Sequence, residues 1–65
     1  MKVYIVWEIV DDYPEDGGGE YLEDIFLNYD KAKIFLEEKQ KEAKEEETDN
    51  YISYEIRPFE IKEDA

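Results

Sequence analysis

The first ten residues carry apolar side chains in both of the phases that a β-strand separates onto its two faces. One phase contains Val3, Ile5, Trp7 and Ile9, and the other contains Tyr4, Val6 and Val10. β-Branched and aromatic residues of this kind suit a pleated surface, so the pattern predicts a strand over residues 2–10. Because both faces are largely apolar, we expect this strand to be central, with a neighbour on each side.

A loop and a second strand are predicted next. Residues 11–20 contain Pro14 and three consecutive glycines, which end a strand and permit the chain to turn back, so we interpret them as a long hairpin loop. The second strand is predicted from Tyr21 to Leu27. Its apolar side chains fall in both phases, so the pattern leaves open which side of this strand faces inward.

A helix is predicted from residue 29 or 30 to residue 46 or 47. The side chain of Asn28 can accept hydrogen bonds from the first N–H groups of a helix, and Asp30 places a negative charge in the first turn. The 3.6-residue period collects one apolar stripe, made of Ala32, Phe35, Leu36 and Ala43 with the stem of Lys39 between them. Ile34 falls on the opposite, outward side of the helix.

A third strand is predicted after the turn signal at residues 48–50. In this strand Ile52, Tyr54 and Ile56 alternate with more polar residues. Pro58 removes one donor from the hydrogen-bond ladder, so we expect this strand to lie at an edge of the sheet or to bend there.

The order of these elements predicts the fold. Residues 1–65 are interpreted as a single acidic α+β domain of order ββαβ, in which the helix carries the third strand past the first by a right-handed crossover. The expected sheet is three-stranded and antiparallel, with strand order 2-1-3 and one helix packed on one face. The other face is expected to be lined by some of Tyr4, Val6, Val10, Tyr21 and Tyr54, and either to be partly exposed or to be covered by the long loop.

Composition narrows the possible chemistry. The chain has neither Cys nor His, which excludes disulfides, thiolate zinc sites, imidazole bases and cysteine nucleophiles. Without histidine, Ser53 cannot join a serine–histidine triad, and we expect neither enzymatic activity nor a cofactor. The apolar N-terminal run is too short to span a bilayer and no small-residue cleavage site follows it, so we expect a cytoplasmic protein.

Acidic residues outnumber basic residues by 20 to 8, and the formal net charge of -12 is unevenly distributed. We expect such a chain to be repelled by nucleic acid and by anionic membranes. One cluster lies in and beside the glycine-rich loop and comprises Asp11, Asp12, Glu15, Asp16, Glu20, Glu23 and Asp24. A second cluster lies at the end of the helix and comprises Glu42, Glu45, Glu46, Glu47 and Asp49. These are the candidate partner-binding residues.

The second cluster lies where the helix dipole favours cations, so each carboxylate there costs roughly a few tenths of a kcal/mol. Local costs of this kind often accompany function. The alternative is a solvated helix end that only maintains solubility, with its charge partly offset by pairs such as Glu37–Lys41. A cation site in the 11–24 loop ranks below both interpretations, because Pro14 occupies a position at which an EF-hand loop needs a ligand.

Several local sequence patterns occur together in a known group of proteins. An aromatic residue, Phe26, ends a strand, and Asn28 with Asp30 forms a polar cap. Lys31-Ala32 start the helix, and residues Tyr54 to Ile61 form an acidic last strand. In these features the chain resembles small uncharacterised ββαβ proteins encoded by phages and their bacterial hosts. The resemblance implies a viral or mobile-element setting, where small acidic proteins frequently block host defence or nucleic-acid enzymes. The glycine triple and the acid of residues 42–49 depart from the usual pattern.

These patterns lead to one functional hypothesis and one alternative. The hypothesis is a non-enzymatic inhibitor or decoy that presents its carboxylates to a basic host protein, either nucleic-acid-binding or defence-related. Its formal charge of -12 equals that of about 20 Å of DNA duplex. The alternative is a homodimeric structural or assembly module whose acidity serves solubility. Its contacts would lie on the open sheet face or the outer helix face, at Tyr4, Val6, Ile34 and Tyr54.

Overall fold

The structure, a computed structural model, describes residues 1–11 and 18–62. Its elements are strand β1 (Lys2–Val10), strand β2 (Gly19–Phe26), helix α1 (Tyr29–Glu45) and strand β3 (Ile52–Glu60). The strands form an antiparallel sheet of order β2-β1-β3, and α1 packs on one face of this sheet. The predicted α+β class, the ββαβ order and the central first strand are therefore confirmed.

Strand β1 is paired on both sides, and its register with β3 continues without interruption to the pair formed by Val10 and Ile52. Pro58 lies within this ladder, opposite Tyr4. An edge strand tolerates proline because its outward side needs no N–H donor. The predicted edge position of the third strand is confirmed, and no bulge interrupts its pairing with β1 at Pro58.

Strand β2 contains a bulge that resolves the ambiguous phase of its sequence. Consecutive residues of β1 pair with Asp24 and then with Leu22, which leaves Glu23 as an extra residue. A bulge of this kind inserts one residue into a strand and changes the face on which the following side chains lie. As a result, Leu22 and Ile25 share one face of the sheet although they are three positions apart, and Phe26 lies on the other face.

Helix α1 begins at the predicted cap. The side-chain oxygen of Asn28 accepts hydrogen bonds from the backbone N–H groups of Asp30, at 2.8 Å, and Lys31, at 3.4 Å. These donors have no carbonyl partner inside the helix, so the cap supplies one. Asp30 also places its negative charge near the positive end of the helix dipole, as expected.

The inner stripe of α1 is the predicted one. Ala32 and Ala43 are buried, and their small side chains allow the helix backbone to approach the sheet closely. Between them, the ring of Phe35 packs against the ring of Phe26 with a centroid distance of 5.3 Å. The ammonium group of Lys39 lies 5.5 Å from the centre of the Phe35 ring, while its stem is half-buried.

The sheet face that α1 covers is the one that we expected to be exposed. Val6 is buried, with 0% of its surface accessible, and the ring of Tyr4 packs edge-on against Tyr29 at the start of the helix. Tyr54 is half-buried on the same face. The prediction that Tyr4, Val6 and Tyr54 line an open face was therefore wrong. Both faces of β1 are apolar, and alternation alone does not tell which of them receives the helix.

The opposite sheet face is not covered by the helix, and we call it the open face. It is formed by Ile5, Trp7 and Ile9 of β1, Leu22 and Ile25 of β2, and Phe59 of β3, and Val3 points to the same side but is buried by its neighbours. The side chains from the two outer strands are about half exposed, at 50% for Leu22, 49% for Ile25 and 57% for Phe59. The fold thus leaves a largely apolar surface without a covering layer.

Helix α1 ends in a left-handed turn. Glu47 has a φ of 59°, and its N–H group donates to the carbonyl of Lys44 at 3.2 Å. The next N–H group, that of Thr48, donates to the carbonyl of Ala43 at 2.8 Å. This pair of bonds is the Schellman motif, in which the left-handed residue is usually glycine because a side chain there costs roughly 1–2 kcal/mol. Glutamate at this position therefore lowers the stability of the fold.

Replacing Glu47 by glycine is expected to stabilise the protein. Glycine adopts the left-handed conformation without the steric cost of a Cβ, so Glu47→Gly should raise the free energy of unfolding by about 1 kcal/mol. For a domain of this size such a gain raises the melting temperature by roughly 4–8 °C, measured by circular dichroism.

Glu46→Gly is the matched control for this prediction, because it removes the same charge from the neighbouring residue, whose φ is -87°. There the entropic cost of glycine offsets the gain from removing an anion at the negative end of the helix dipole, so the melting temperature should change little. Equal shifts in both variants would show that charge removal, not backbone strain, sets the stability of this turn.

Candidate functional site

The strand order brings Asp11, where the first acidic segment begins, to the same end of the molecule as the C-terminal turn of α1. The N–H group of Asp11, which follows β1, donates to the carbonyl of Tyr51, which precedes β3, at 2.8 Å. The C-terminal turn of α1 and the start of the first loop are therefore neighbours. We call this region the acidic end, and define it by the described carboxylates that it contains: Asp11, Glu42, Glu45, Glu46, Glu47 and Asp49.

All six side chains of the acidic end are exposed. In the described part of the chain, ion pairs join the N-terminus to Glu60 and Arg57 to Glu20 and Glu55, and none of these pairs involves the acidic end. Lys44 supplies a cation in the last helical turn, as the helix dipole favours. The acidic end therefore has an excess of negative charge that ion pairs do not neutralise.

A groove of about 290 Å³ opens between α1 and β3 beside the acidic end. It is lined by Gln40, Ala43, Lys44, Asp49, Ile52, Ser53 and Tyr54. Sites for drug-sized ligands usually enclose about 300–1,000 Å³, so this groove is suited to a single side chain. Asp49 belongs to both the groove and the acidic end, and it gives the groove a carboxylate.

Glu20, a candidate from the first cluster, is held on the open face. Its two carboxylate oxygens accept hydrogen bonds from the guanidinium of Arg57, both at 2.9 Å, and Arg57 also contacts Glu55. These hydrogen bonds lower the pKa of Glu20 below its ordinary value. Arg57 in turn lies over the ring of Trp7, with its guanidinium carbon 5.2 Å from the ring centre. The charge of Glu20 is thus paired with a cation of the same chain.

Glu23, another candidate, lies at the bulge and turns toward the helix. Burial raises the pKa of its carboxyl group, and the negative charge of Glu8 raises it further, while Lys39 acts in the opposite direction. The hydroxyl of Tyr54 donates to the carboxylate of Glu8 at 3.0 Å. Burial, followed by this hydrogen bond, raises the pKa of Tyr54 to about 12. Glu23 therefore belongs to an inner polar cluster and not to the acidic end.

The remaining candidates are separated from the acidic end or lie outside the described residues. Asp24 is exposed in the middle of β2, where its carboxylate accepts a hydrogen bond from the N–H group of Ile25 at 2.8 Å. Asp12, Glu15 and Asp16 were predicted as partner-binding residues and fall in the segment 12–17, outside the described part of the chain.

Among the described residues, no group of three or more carboxylates is arranged to hold a metal ion. No helix in residues 1–11 and 18–62 has the length and the apolar character needed to cross a membrane. Comparison of the chain with protein-family models, with curated proteins and with solved structures found no match.

Two features of the site were missed from the sequence. The Arg57–Glu20 pair joins residues that are 37 positions apart, and no local sequence pattern predicts such a contact. The proximity of Asp11 to the second acidic segment could have been predicted, because strand order 2-1-3 places the exit of the first strand beside the entry to the third.

Glu23→Gln is expected to stabilise the protein near neutral pH and to lose this advantage in acid. Because the folded pKa of Glu23 is raised, the folded wild type binds its proton more readily than the unfolded chain and gains stability as the pH falls. The variant lacks this gain. Its melting temperature should exceed that of the wild type by a few degrees at pH 7, and the difference should shrink toward about pH 4.5.

Glu37→Gln serves as the control, because Glu37 is exposed on the helix and the substitution removes one negative charge, as Glu23→Gln does. This control should show little of the pH-dependent difference. A gain for Glu23→Gln that stayed constant between the two pH values would contradict the assignment of Glu23 to the inner cluster.

Proposed function

We propose that the protein is a non-enzymatic inhibitor or decoy, whose acidic end docks on a basic surface of another protein. The observation that supports this proposal is the collection of exposed carboxylates at one end of the fold, without internal ion pairs among the described residues. A concentrated negative field steers a basic partner toward the surface and releases the counterions of that partner on binding.

The unfavourable positions of three glutamates at this end also support the proposal. Glu45 and Glu46 lie at the negative end of the helix dipole, where each anion costs roughly 0.3–1 kcal/mol. Glu47 adds the cost of its left-handed backbone. Three consecutive glutamates that each lower stability are easier to understand if their charge is used. Solubility alone needs no such position, because negative charge elsewhere on the surface serves it equally.

The groove beside the acidic end offers a place for one basic side chain of the partner. Ala43, Ile52 and the ring of Tyr54 can contact the aliphatic stem of an arginine or a lysine. Asp49 can accept hydrogen bonds from the charged head group, and Lys44, the cation in the same lining, is exposed and can turn toward the solvent. The partner that this chemistry favours is therefore a protein with exposed basic side chains, such as a protein that binds nucleic acid.

The biological setting in this proposal follows from the resemblance to phage-encoded ββαβ proteins. In that setting the partner is a nucleic-acid-binding or defence protein of the host, and the inhibitor acts in the cytoplasm of an infected or carrier bacterium. The acidic end then occupies the basic groove that would otherwise hold a polyanion.

Removing charge from the acidic end should abolish partner binding, whereas removing the same charge elsewhere should not. The test variant replaces Glu42, Glu45 and Glu46 by glutamine. The immobilised protein should capture basic proteins from a bacterial lysate at about 0.05 M salt and release them at about 0.5 M, where screening shortens the Debye length to a few ångströms. Capture should be lost in the triple variant.

The control variant replaces Glu37, Glu38 and Glu60 by glutamine, which gives the same net charge and leaves the acidic end intact. The control variant should still capture most of the basic proteins. In a separate assay, a captured protein should lose its binding to nucleic acid when the wild type is added. Equal capture by both triple variants, or capture that does not change with salt, would contradict the proposal.

A further inference from the structure

We propose that the open face is the interface of a homodimer, in which two copies pack sheet against sheet. The earlier candidates for such contacts, Tyr4, Val6 and Tyr54, lie on the helix-covered face. The open face replaces them with different residues from all three strands. This inference does not rest on the proposed function.

The open face is largely apolar. Leu22, Ile25 and Phe59 are about half exposed, Ile5 between them is half-buried, and the ring of Trp7 is partly covered by Arg57. Contiguous apolar patches on a monomer usually mark a contact surface, because their exposure to water is unfavourable. A second layer on this side would give the sheet the packing that α1 gives to its other side.

The charge of the open face favours a second copy as its occupant. The charged residues of this face are Glu20, Glu55 and Arg57, and their mutual ion pairs leave it only one net negative charge. An interface with two-fold symmetry needs a surface that is complementary to itself, and an apolar, nearly neutral surface meets this requirement. An anionic membrane surface would instead repel a chain with a net charge of -12.

The acidic ends of two copies can lie far apart in such a dimer. With a two-fold axis perpendicular to the strands, the acidic ends of the two copies point in opposite directions. Strand β1 has nine residues, so its ends are about 30 Å apart, several times the Debye length of about 8 Å at physiological salt. Repulsion between the two acidic ends is therefore largely screened in this arrangement.

The sheet edges are poorer sites for a second copy than the open face. The edge formed by β2 carries the bulge at Glu23 together with Glu20 and Asp24, and the edge formed by β3 carries Pro58. Bulges, charges and proline at an edge all oppose pairing with another strand. Face-to-face packing remains as the mode that the structure favours.

The size of the face predicts a dimer of moderate affinity. Three strands spaced about 4.8 Å apart and about 30 Å long present roughly 400 Å² in projection, so two copies cover roughly 800 Å². Specific interfaces usually bury about 1,200–2,000 Å² of accessible surface. The accessible surface of a contact is larger than its projected area, so this face lies near the lower end of that range. We therefore expect a dissociation constant of the dimer in the micromolar range.

The test compares two isoleucines of similar exposure on different faces. Ile25 lies on the open face and is 49% exposed, whereas Ile34 lies on the outer side of α1 and is 56% exposed. The mass in solution is measured by sedimentation equilibrium from about 1 to 500 µM. The wild type and Ile34→Asp should reach the mass of a dimer, and Ile25→Asp should stay monomeric with a dissociation constant raised at least about tenfold.

Circular dichroism checks that each variant is folded, and Phe59→Ser provides a second open-face variant if Ile25→Asp unfolds. Raising the salt to about 0.5 M should leave the dimer intact or strengthen it, whereas binding of a basic partner at the acidic end should weaken. A wild type that stays monomeric up to 500 µM would overturn the dimer, and so would a dimer that Ile34→Asp alone disrupts. Neither result bears on the acidic end.

Discussion

The pairing of β1 with a neighbour on each side is the constraint from which the other features of this molecule follow. Because β2 and β3 both run antiparallel to β1, the exit of β1 lies beside the entry of β3, as the bond between Asp11 and Tyr51 shows. That neighbourhood brings the first loop and the end of α1 together. A strand order with β1 at an edge would place β2 between Asp11 and Tyr51 and move the two about 5 Å farther apart.

The same topology explains why the carboxylates differ in what they can do. On the two faces of the sheet, Glu20 is held by Arg57, and Glu23 and Glu8 lie in the polar cluster with Tyr54. Carboxylates beyond the sheet, at the acidic end, have no such partners among the described residues. Net charge alone therefore overstates the negative charge that the surface presents. The charge that remains unpaired is the part that the fold leaves without a cation.

Local patterns predicted the elements and their order, because β-branched alternation, a capping asparagine and a helical apolar stripe are each set by near neighbours. The choice of the covered sheet face was not predictable in this way, since both phases of β1 are apolar and only the helix decides between them. The bulge at Glu23 and the left-handed Glu47 also lack a local signal, as neither is a glycine. The exposure of the carboxylates at the acidic end follows from their sequence positions, whereas the pairing of Glu20 with Arg57 and the burial of Glu23 beside Glu8 depend on residues distant in sequence.

The central claim is that the negative charge acts as one concentrated field at one end of the fold. The most direct measurement is the electrostatic potential near each backbone amide, obtained by NMR from the difference between relaxation by a cationic and by a neutral nitroxide cosolute. The account predicts the most negative potentials at Asp11 and at residues 42–49, and the weakest at Leu27, Phe59 and Ile61. Potentials that are uniform along the molecule would contradict it.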